Sequence, residues 1–359
     1  MRNINSEFRQ ETCVFFGIDP LDKIIVVGHQ PVFFHTGILA KFIAASEVAK
    51  TFNAKLVHLV VDHHIGDVGT LEIPKLQNGL LEVDKITIAA CDDTISLCDQ
   101  KPMKISEKAP SFAECLKNDE HNAAMQIAAA TDKLMSSYAT VHHRIAATEL
   151  LKSPIGVALL KNMFANPEPC ITAYNNAINA FPHCGISLLE KDELPLWHGP
   201  QNKKVTDHRT DLRPRALLLT LLARVGIGDL FVHGTGGASY DLVMEHWCRH
   251  WLGVEVCSQV MATASLKLSI DMTTVDAARQ TYFSGDGEKK QVFLDKIDSL
   301  PRGSAARRIA YLEMQRWLDS CHDKPDHGAL LASQQIANRR DWAFPFYNHD
   351  QLQVLTKAL

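Results

Sequence analysis

Three short stretches of the sequence gather residue types that could do chemistry. The first is GHQPVFFHTG, from Gly28 to Gly37. Gly28 can let a backbone turn tightly and approach a ligand. Gly37 is placed to open a helix, where free amides and the dipole favour an anion. Gln30 helps to shape that pocket. His35 stands just before Gly37 and can donate to the anion, and His29 and His35 together can steady developing negative charge. The second stretch is VVDHH, Val60 to His64. Asp62 or His63 suits a general base, and Asp62, His63 and His64 together suit a metal. The third is HGTGGASYD, His233 to Asp241. Gly234, Gly236 and Gly237 form a candidate phosphate cradle, with His233, Tyr240 and Asp241 beside them as binding groups. Upstream, Arg213 and Arg215 in RPRAL could grip carboxylate or phosphate. His142-His143 is expected in a helix and solvated, and Trp247 and Trp251, four residues apart, read as core.

These residues need elements to hold them. Lys23–Val27 (KIIVV) is a β-branched run that predicts a buried parallel strand. Ile38 to Phe52 has apolar residues at helical spacing, and Asn53 suits the helix end. Leu56–Val61 predicts a second strand, so residues 23–62 form a βαβ unit with a right-handed crossover. The loop after the first strand then lies at the carboxyl edge of the sheet, where open α/β folds bind ligands. Further on, LLEVDKITIAA and TISLC within 81–100 look β-rich. Residues 111–163 look mostly helical, with a break at Pro154. Tyr174–Phe181 predicts a helix, Gly185–Leu189 a buried strand, and Trp197 to Asp211 a loop. Arg215–Val225 predicts a helix, Asp229–Val232 a strand, and a helix runs through Trp251 after the glycine-rich turn. Residues 284–340 look charged and helical, and Trp342–Tyr347 (WAFPFY) is expected to pack back onto the body.

Composition sets the bounds. A chain of 359 residues is long enough for one large domain or two. Hydrophobic residues at 46% and charged residues at 22% are ordinary for a globular protein. A net charge of -4 argues against non-specific nucleic-acid binding. The nine cysteines are scattered with no CxxC pair, which predicts a reduced, cytoplasmic protein. No apolar run approaches a membrane span, and the first residues lack the apolar core of a signal peptide.

Several motifs invite comparison with known families. HTGI, His35 to Ile38, resembles the HxGH motif of nucleotidylyl transferases and class I synthetases, with Ile38 where that motif ends in His. HIGD at His64–Asp67 follows the second strand rather than the first, and KISEK at Lys104–Lys108 comes too early for a KMSKS loop, so both are read as coincidences. VVDHH resembles the DHH motif of phosphoesterases, although no DxD precedes it.

As an ordered set, the motifs over roughly residues 20–270 resemble the family of the cysteine-adding enzyme of bacillithiol biosynthesis, BshC. Gly28, His29 and Gln30 match that family's GQQ-type loop, with His29 in place of a Gln. Val61, Asp62, His63 and His64 stand where that family has a strand ending in an acidic-Asp-His-Asp pattern, with His64 in place of an acidic residue. Residues 173–195, AYNNAINAFPHCGISLLEKDELP, are similar to its helix–strand piece. RPRAL with HGTGGASYD is similar to a branch of relatives carrying GHQP.

The resemblance implies a Rossmann-like, nucleotidylyl-transferase-like parallel sheet core with additional helices. That core would span residues 1–270, with a helical excursion at about 111–165. A C-terminal helical segment, 271–359, would pack on it. The implied activity is that of a ligase or transferase joining a small amino acid or thiol, such as cysteine, to a polar metabolite. Its cofactor would be ATP or ADP, with no metal firmly expected. The implied partners are a small-molecule substrate and, compatibly, a second copy in a homodimer, with neither nucleic acid nor membrane. The family's coiled coil is not expected, because the C-terminal helices lack sustained heptads. Two other readings of the same residues stay open. One is a non-catalytic nucleotide- or metabolite-binding module. The other is a metal-dependent phosphoesterase using Asp62, His63 and His64.

Overall fold

A computed structural model describes residues 4–77, 79–270, 287–320 and 327–357. The first expected element is strand β1 (Lys23–His29), whose Ile24, Ile25, Val26 and Val27 are all buried. Helix α2 (Thr36–Phe52) follows, and Asn53 ends it in the left-handed conformation at φ 49°. Its N–H closes onto the Ala49 and Lys50 carbonyls, as a C-terminal cap requires. Strand β2 (Ala54–Val60) then pairs parallel to β1 in the register Ile25↔Leu56. The βαβ unit is therefore present as its pattern predicts.

Three more strands complete a central sheet. β5 (His143–Ala146) pairs with β2, β9 (Leu230–His233) pairs with β1, and β10 (Ser258–Met261) pairs with β9. All pairings are parallel, and the spatial order is β10-β9-β1-β2-β5. Read from the other edge, in order of appearance along the chain, these strands run third, second, first, fourth, fifth. That is the doubly wound Rossmann order over its first five strands, and it reverses direction between β1 and β9. The fold is α/β and Rossmann-like.

Helices cover the sheet. α1 (Ile4–Phe15) packs on α5 (Pro154–Ala165) and on α7 (Ala216–Gly226), and α6 (Pro167–Ala180) packs on α8 (Thr235–Leu252). Trp247 of α8 is fully buried, with its indole N–H donated to the Cys170 carbonyl at 3.1 Å. Trp251 stacks on it at 5.1 Å, so this pair belongs to the core, as expected.

Several local expectations need correction. His143 lies in a strand, not a helix: it faces Val57 at the edge of the sheet, in a four-residue element whose only β-branched residue is Ile145. Gly185–Leu189 is not a strand. Gly185 takes φ 74°, and the Asn175 side-chain amide, rather than a neighbouring strand, satisfies the Leu189 backbone. TISLC is not a strand either, because Leu97–Asp99 is a 3-10 turn. The expected loop over 197–211 instead contributes to a small antiparallel sheet of β6 (Leu194–His198), β7 (Lys203–Val205) and β8 (Leu212–Pro214).

The chain divides into two compact units. One comprises Met1–Leu71, Ile86–Leu266 and Asp341–Leu359, and holds the central sheet. The other comprises Glu72–Lys85 and Lys267–Arg340. The second unit holds helices Gly287–Asp298, Ala305–Ser320 and His327–Asn338, with Ile297, Ala310 and Met314 in one buried cluster. Residues 271–286 and 321–326, which fall within the expected helical stretch or at its edge, lie outside the described residues. The aromatic tail belongs to the first unit. The Phe344 amide donates to the Phe34 carbonyl at 2.8 Å, and Ala343 bridges His35. The Phe34 and Phe344 rings meet at 5.3 Å. Among the described residues, no helix is long and apolar enough to cross a membrane.

Candidate functional site

The reversal of strand order leaves a crevice between the carboxyl ends of β1 and β9, and a cleft of about 630 Å³ opens there. The end of β1 brings Gly28 and His29 to it, and the turn that follows brings Gln30 and His35. The turn after β9 brings His233, Gly234, Thr235, Gly236, Gly237 and Tyr240. The two glycine-bearing stretches, about two hundred residues apart in sequence, therefore face one space. His63 and His64 enter from the end of β2, and Trp197 and Asn202 from the small antiparallel sheet. Among the described residues, no Asp or Glu lines the cleft.

Each turn is built differently from its sequence expectation. His35 is the N-cap of α2, and its Nδ1 accepts the Gly37 amide at 3.1 Å. That ring nitrogen is thus an acceptor, and the amide expected to hold an anion is already satisfied. Gly37 is required by packing: a Cβ there would stand 2.9 Å from the Ala264 carbonyl oxygen. Gly28 lies within β1, and a Cβ there would meet only ordinary contacts from 3.4 Å outward. Packing thus explains Gly37 without a ligand, and it does not explain Gly28. The β9 turn differs. Only Gly234 precedes the helix, and Gly236 and Gly237 form its first turn. No side chain caps α8 at Gly234. A Cβ on Gly236 would meet nothing within 4 Å, whereas one on Gly237 would fall 2.3 Å from His233 Nδ1.

The charges of the cleft follow from burial. His29 is held well below its ordinary pKa, chiefly by burial and then by Lys41 and the neighbouring histidines. His35 is lowered by burial, with Asp341 opposing and Lys41 adding. His64 is lowered by burial and by His63. These rings are neutral at pH 7, so they act as hydrogen-bonding groups rather than as cations. His63 is 6% exposed, and its buried Nδ1 has no hydrogen-bond partner but lies 3.7 Å from Asp62 Oδ1. The Asn202 side-chain amide holds the His63 carbonyl at 2.7 Å. His233 Nε2 is 2.9 Å from Asp241 Oδ2, out of line for a hydrogen bond.

Five sequence candidates do not line this cleft: Gly37, described above, and four others. Asp62 is 1% exposed and accepts from the Thr148 amide at 3.1 Å and from the Thr148 hydroxyl, which holds the start of the next helix (Ala147–Lys152). It lines a second cleft of about 460 Å³, with Cys98, Asp99 and Glu149. Arg213 is fully buried and binds Ser96, Asn202, Asp99 and Asp211. Arg215 pairs with Glu193 and lies 4.3 Å above the Trp197 ring. Asp241 is fully buried against Arg224. Each Arg is occupied by carboxylates of its own chain, so neither serves as the expected anion clamp. Asp62, His63 and His64 do not converge, and among the described residues no group of three His, Cys, Asp or Glu could hold a metal ion.

Sequence reasoning missed Lys41. It lies on α2, is 3% exposed, lines the cleft, and donates to the Gly28 carbonyl at 2.7 Å. Burial lowers its pKa to about 7. The available signal was a single charge inside an apolar helical run, ILAKFIAA, one turn after Gly37.

No family model matches the sequence, and a search of curated proteins finds no match. Among solved structures, the chain is similar to a crystal structure of Plasmodium falciparum tryptophanyl-tRNA synthetase at 10% identity and a TM-score of 0.28. That similarity covers 93% of this chain and 80% of the other. A TM-score that low adds nothing to what the strand order shows.

Proposed function

We propose that the protein is an enzyme of the ligase or transferase kind, acting on an anionic small metabolite in the cleft between β1 and β9. One observation carries the reading: a cleft at the strand-order reversal, under a helix start without a side-chain cap, has no carboxylate among the described residues of its lining. An anion there meets backbone amides and the positive end of a helix dipole, with no fixed negative charge to repel it. The open space over Gly236 suits close approach of a phosphate. ATP or ADP fits that donor set and would supply the phosphate chemistry of an activated transfer.

In this reading the neutral His29 and His35 hydrogen-bond to the ligand, and His63 takes the proton from the incoming nucleophile. Asp62 then acts through His63, from 3.7 Å behind it, instead of touching substrate. The narrower form of the proposal is a BshC-like reaction, in which the amine or thiol of a small amino acid such as cysteine is joined to a polar metabolite. A thermal-shift series with ATP, ADP, cysteine and sugar-malate compounds tests both forms. A ligand at 100 times its dissociation constant stabilises by about 2.7 kcal/mol. A shift with ATP or ADP that disappears in Gly236→Val supports the cleft. The absence of any shift across the series refutes it.

A further inference from the structure

Lys41 is the one buried lysine among the described residues. An ammonium has three N–H bonds to place. One reaches the Gly28 carbonyl at 2.7 Å. Among the described residues Lys41 forms no ion pair and no second hydrogen bond, and no Asp or Glu lines the cleft it borders. A buried amine with two unspent donors is costly unless something completes it. A structural lysine would have met a carboxylate, as Arg213 and Arg224 do.

We propose that Lys41 is a second anion anchor of the cleft, and that the ligand carries two acidic groups, one received by the unspent N–H bonds of Lys41 and the other by the start of α8. The inference rests on the cleft being a ligand site, as argued above. Its ligand class is a metabolite with paired phosphates or with a phosphate and a carboxylate.

A protonation consequence follows. Burial has brought Lys41 down to about 7, and an anion docking on it raises that value again. At pH 8 the free amine is mostly neutral, so binding draws close to one proton from solution. Three of the groups that face Lys41 do not share this uptake at pH 8. His29 on β1, His35 at the start of α2 and His64 after β2 all have lowered pKa values and stay neutral. His58 on β2 is already paired with Asp132 at 2.8 Å. His63 lies beside Asp62 and His233 beside Asp241, and Asp341 acts on His35.

The experiment is isothermal titration of inorganic pyrophosphate and of ATP into the full chain at pH 8, in two buffers of different ionisation enthalpy. The wild type is expected to take up about one proton at pH 8 and distinctly less at pH 6. Lys41→Met keeps the stem of the side chain and removes the charge. It is expected to bind roughly 10- to 100-fold more weakly, with no proton uptake. If Lys41→Met, folded by its melting curve, binds pyrophosphate as tightly as wild type or keeps the uptake, the anchor is refuted while the cleft reading stands. If neither probe binds wild type at millimolar concentration, both fall.

Discussion

Replacing Lys41 by Met tests the physics of the cleft floor without any ligand. Burial takes Lys41 from 10.5 to about 7, and at about 1.4 kcal/mol per pH unit the folded state bears a cost of about 5 kcal/mol. The folded pKa is the lower one, so the cost is complete below pH 7. Between 7 and 10.5 the unfolded chain holds a proton that the folded chain has released, and stability rises with pH. Above 10.5 the cost is gone. Lys41→Met removes it and also loses the bond to the Gly28 carbonyl, a charged hydrogen bond worth about 1.5–3 kcal/mol. The variant should therefore be more stable than wild type by about 2–3 kcal/mol at pH 6, and the gap should close by pH 10. Urea denaturation at pH 6, 8 and 10 in phosphate-free buffer measures it. A variant less stable at pH 6, or a gap equal at pH 6 and pH 10, refutes the reasoning.

Three further outcomes follow from the same geometry. Gly237→Ala should cost about 1–3 kcal/mol, because its Cβ would fall 2.3 Å from His233 Nδ1, whereas Gly236→Ala should leave the melting temperature nearly unchanged. Equal effects in the two melting curves would contradict this. Arg213→Met should destabilise by about 2 kcal/mol, since it strands Asp99, Asp211 and Ser96, yet should leave ATP affinity unaltered in titration. Loss of ATP binding in a folded Arg213→Met would restore the clamp that the structure argues against. His29 should titrate well below 6.5, as read from its ring carbon shifts by NMR. A titration midpoint at or above 6.5 would show that water reaches the ring.

Much of the fold was legible because period and composition agree where burial is deepest. KIIVV and the apolar stripe of α2 have no other stable use than a strand and its crossover helix, and Asn53 marked the helix end. The β9 strand and the helix after it were equally plain. Legibility failed at positions decided by partners distant in sequence. β5 is four residues long and polar at its start, and becomes a strand only because β2 has a free edge. GISLL has strand composition, but the Asn175 amide claims its backbone first. Arg213 and Arg215 looked free because Asp99, lying 114 residues from Arg213, and Glu193, lying 22 residues from Arg215, carry no local mark of pairing with them.

The same distinction bears on which end of the cleft would hold the anion proposed above. By sequence the two glycine-bearing turns are equivalents: each follows a strand, contains histidine and opens a helix. Capping separates them. At α2 the His35 ring takes the Gly37 amide, and the Ala264 carbonyl crowds the same glycine. That helix start is closed by its own chain. At α8 no side chain among the described residues caps the helix at Gly234, and a Cβ on Gly236 would meet nothing within 4 Å. Burial reinforces the contrast, since His29 and His35 are neutral and bring no charge to the α2 side. What positive charge that side offers comes from Lys41, one turn into the helix, partly protonated at pH 7 and more fully so once an anion docks on it. In the proposed reading the α8 end receives an anion throughout this pH range, and the α2 end receives one more strongly as Lys41 gains its proton. A ligand with a single acidic group should accordingly bind with little pH dependence between 7 and 9. One with two acidic groups should weaken progressively over the same range as the proton that Lys41 requires becomes harder to obtain.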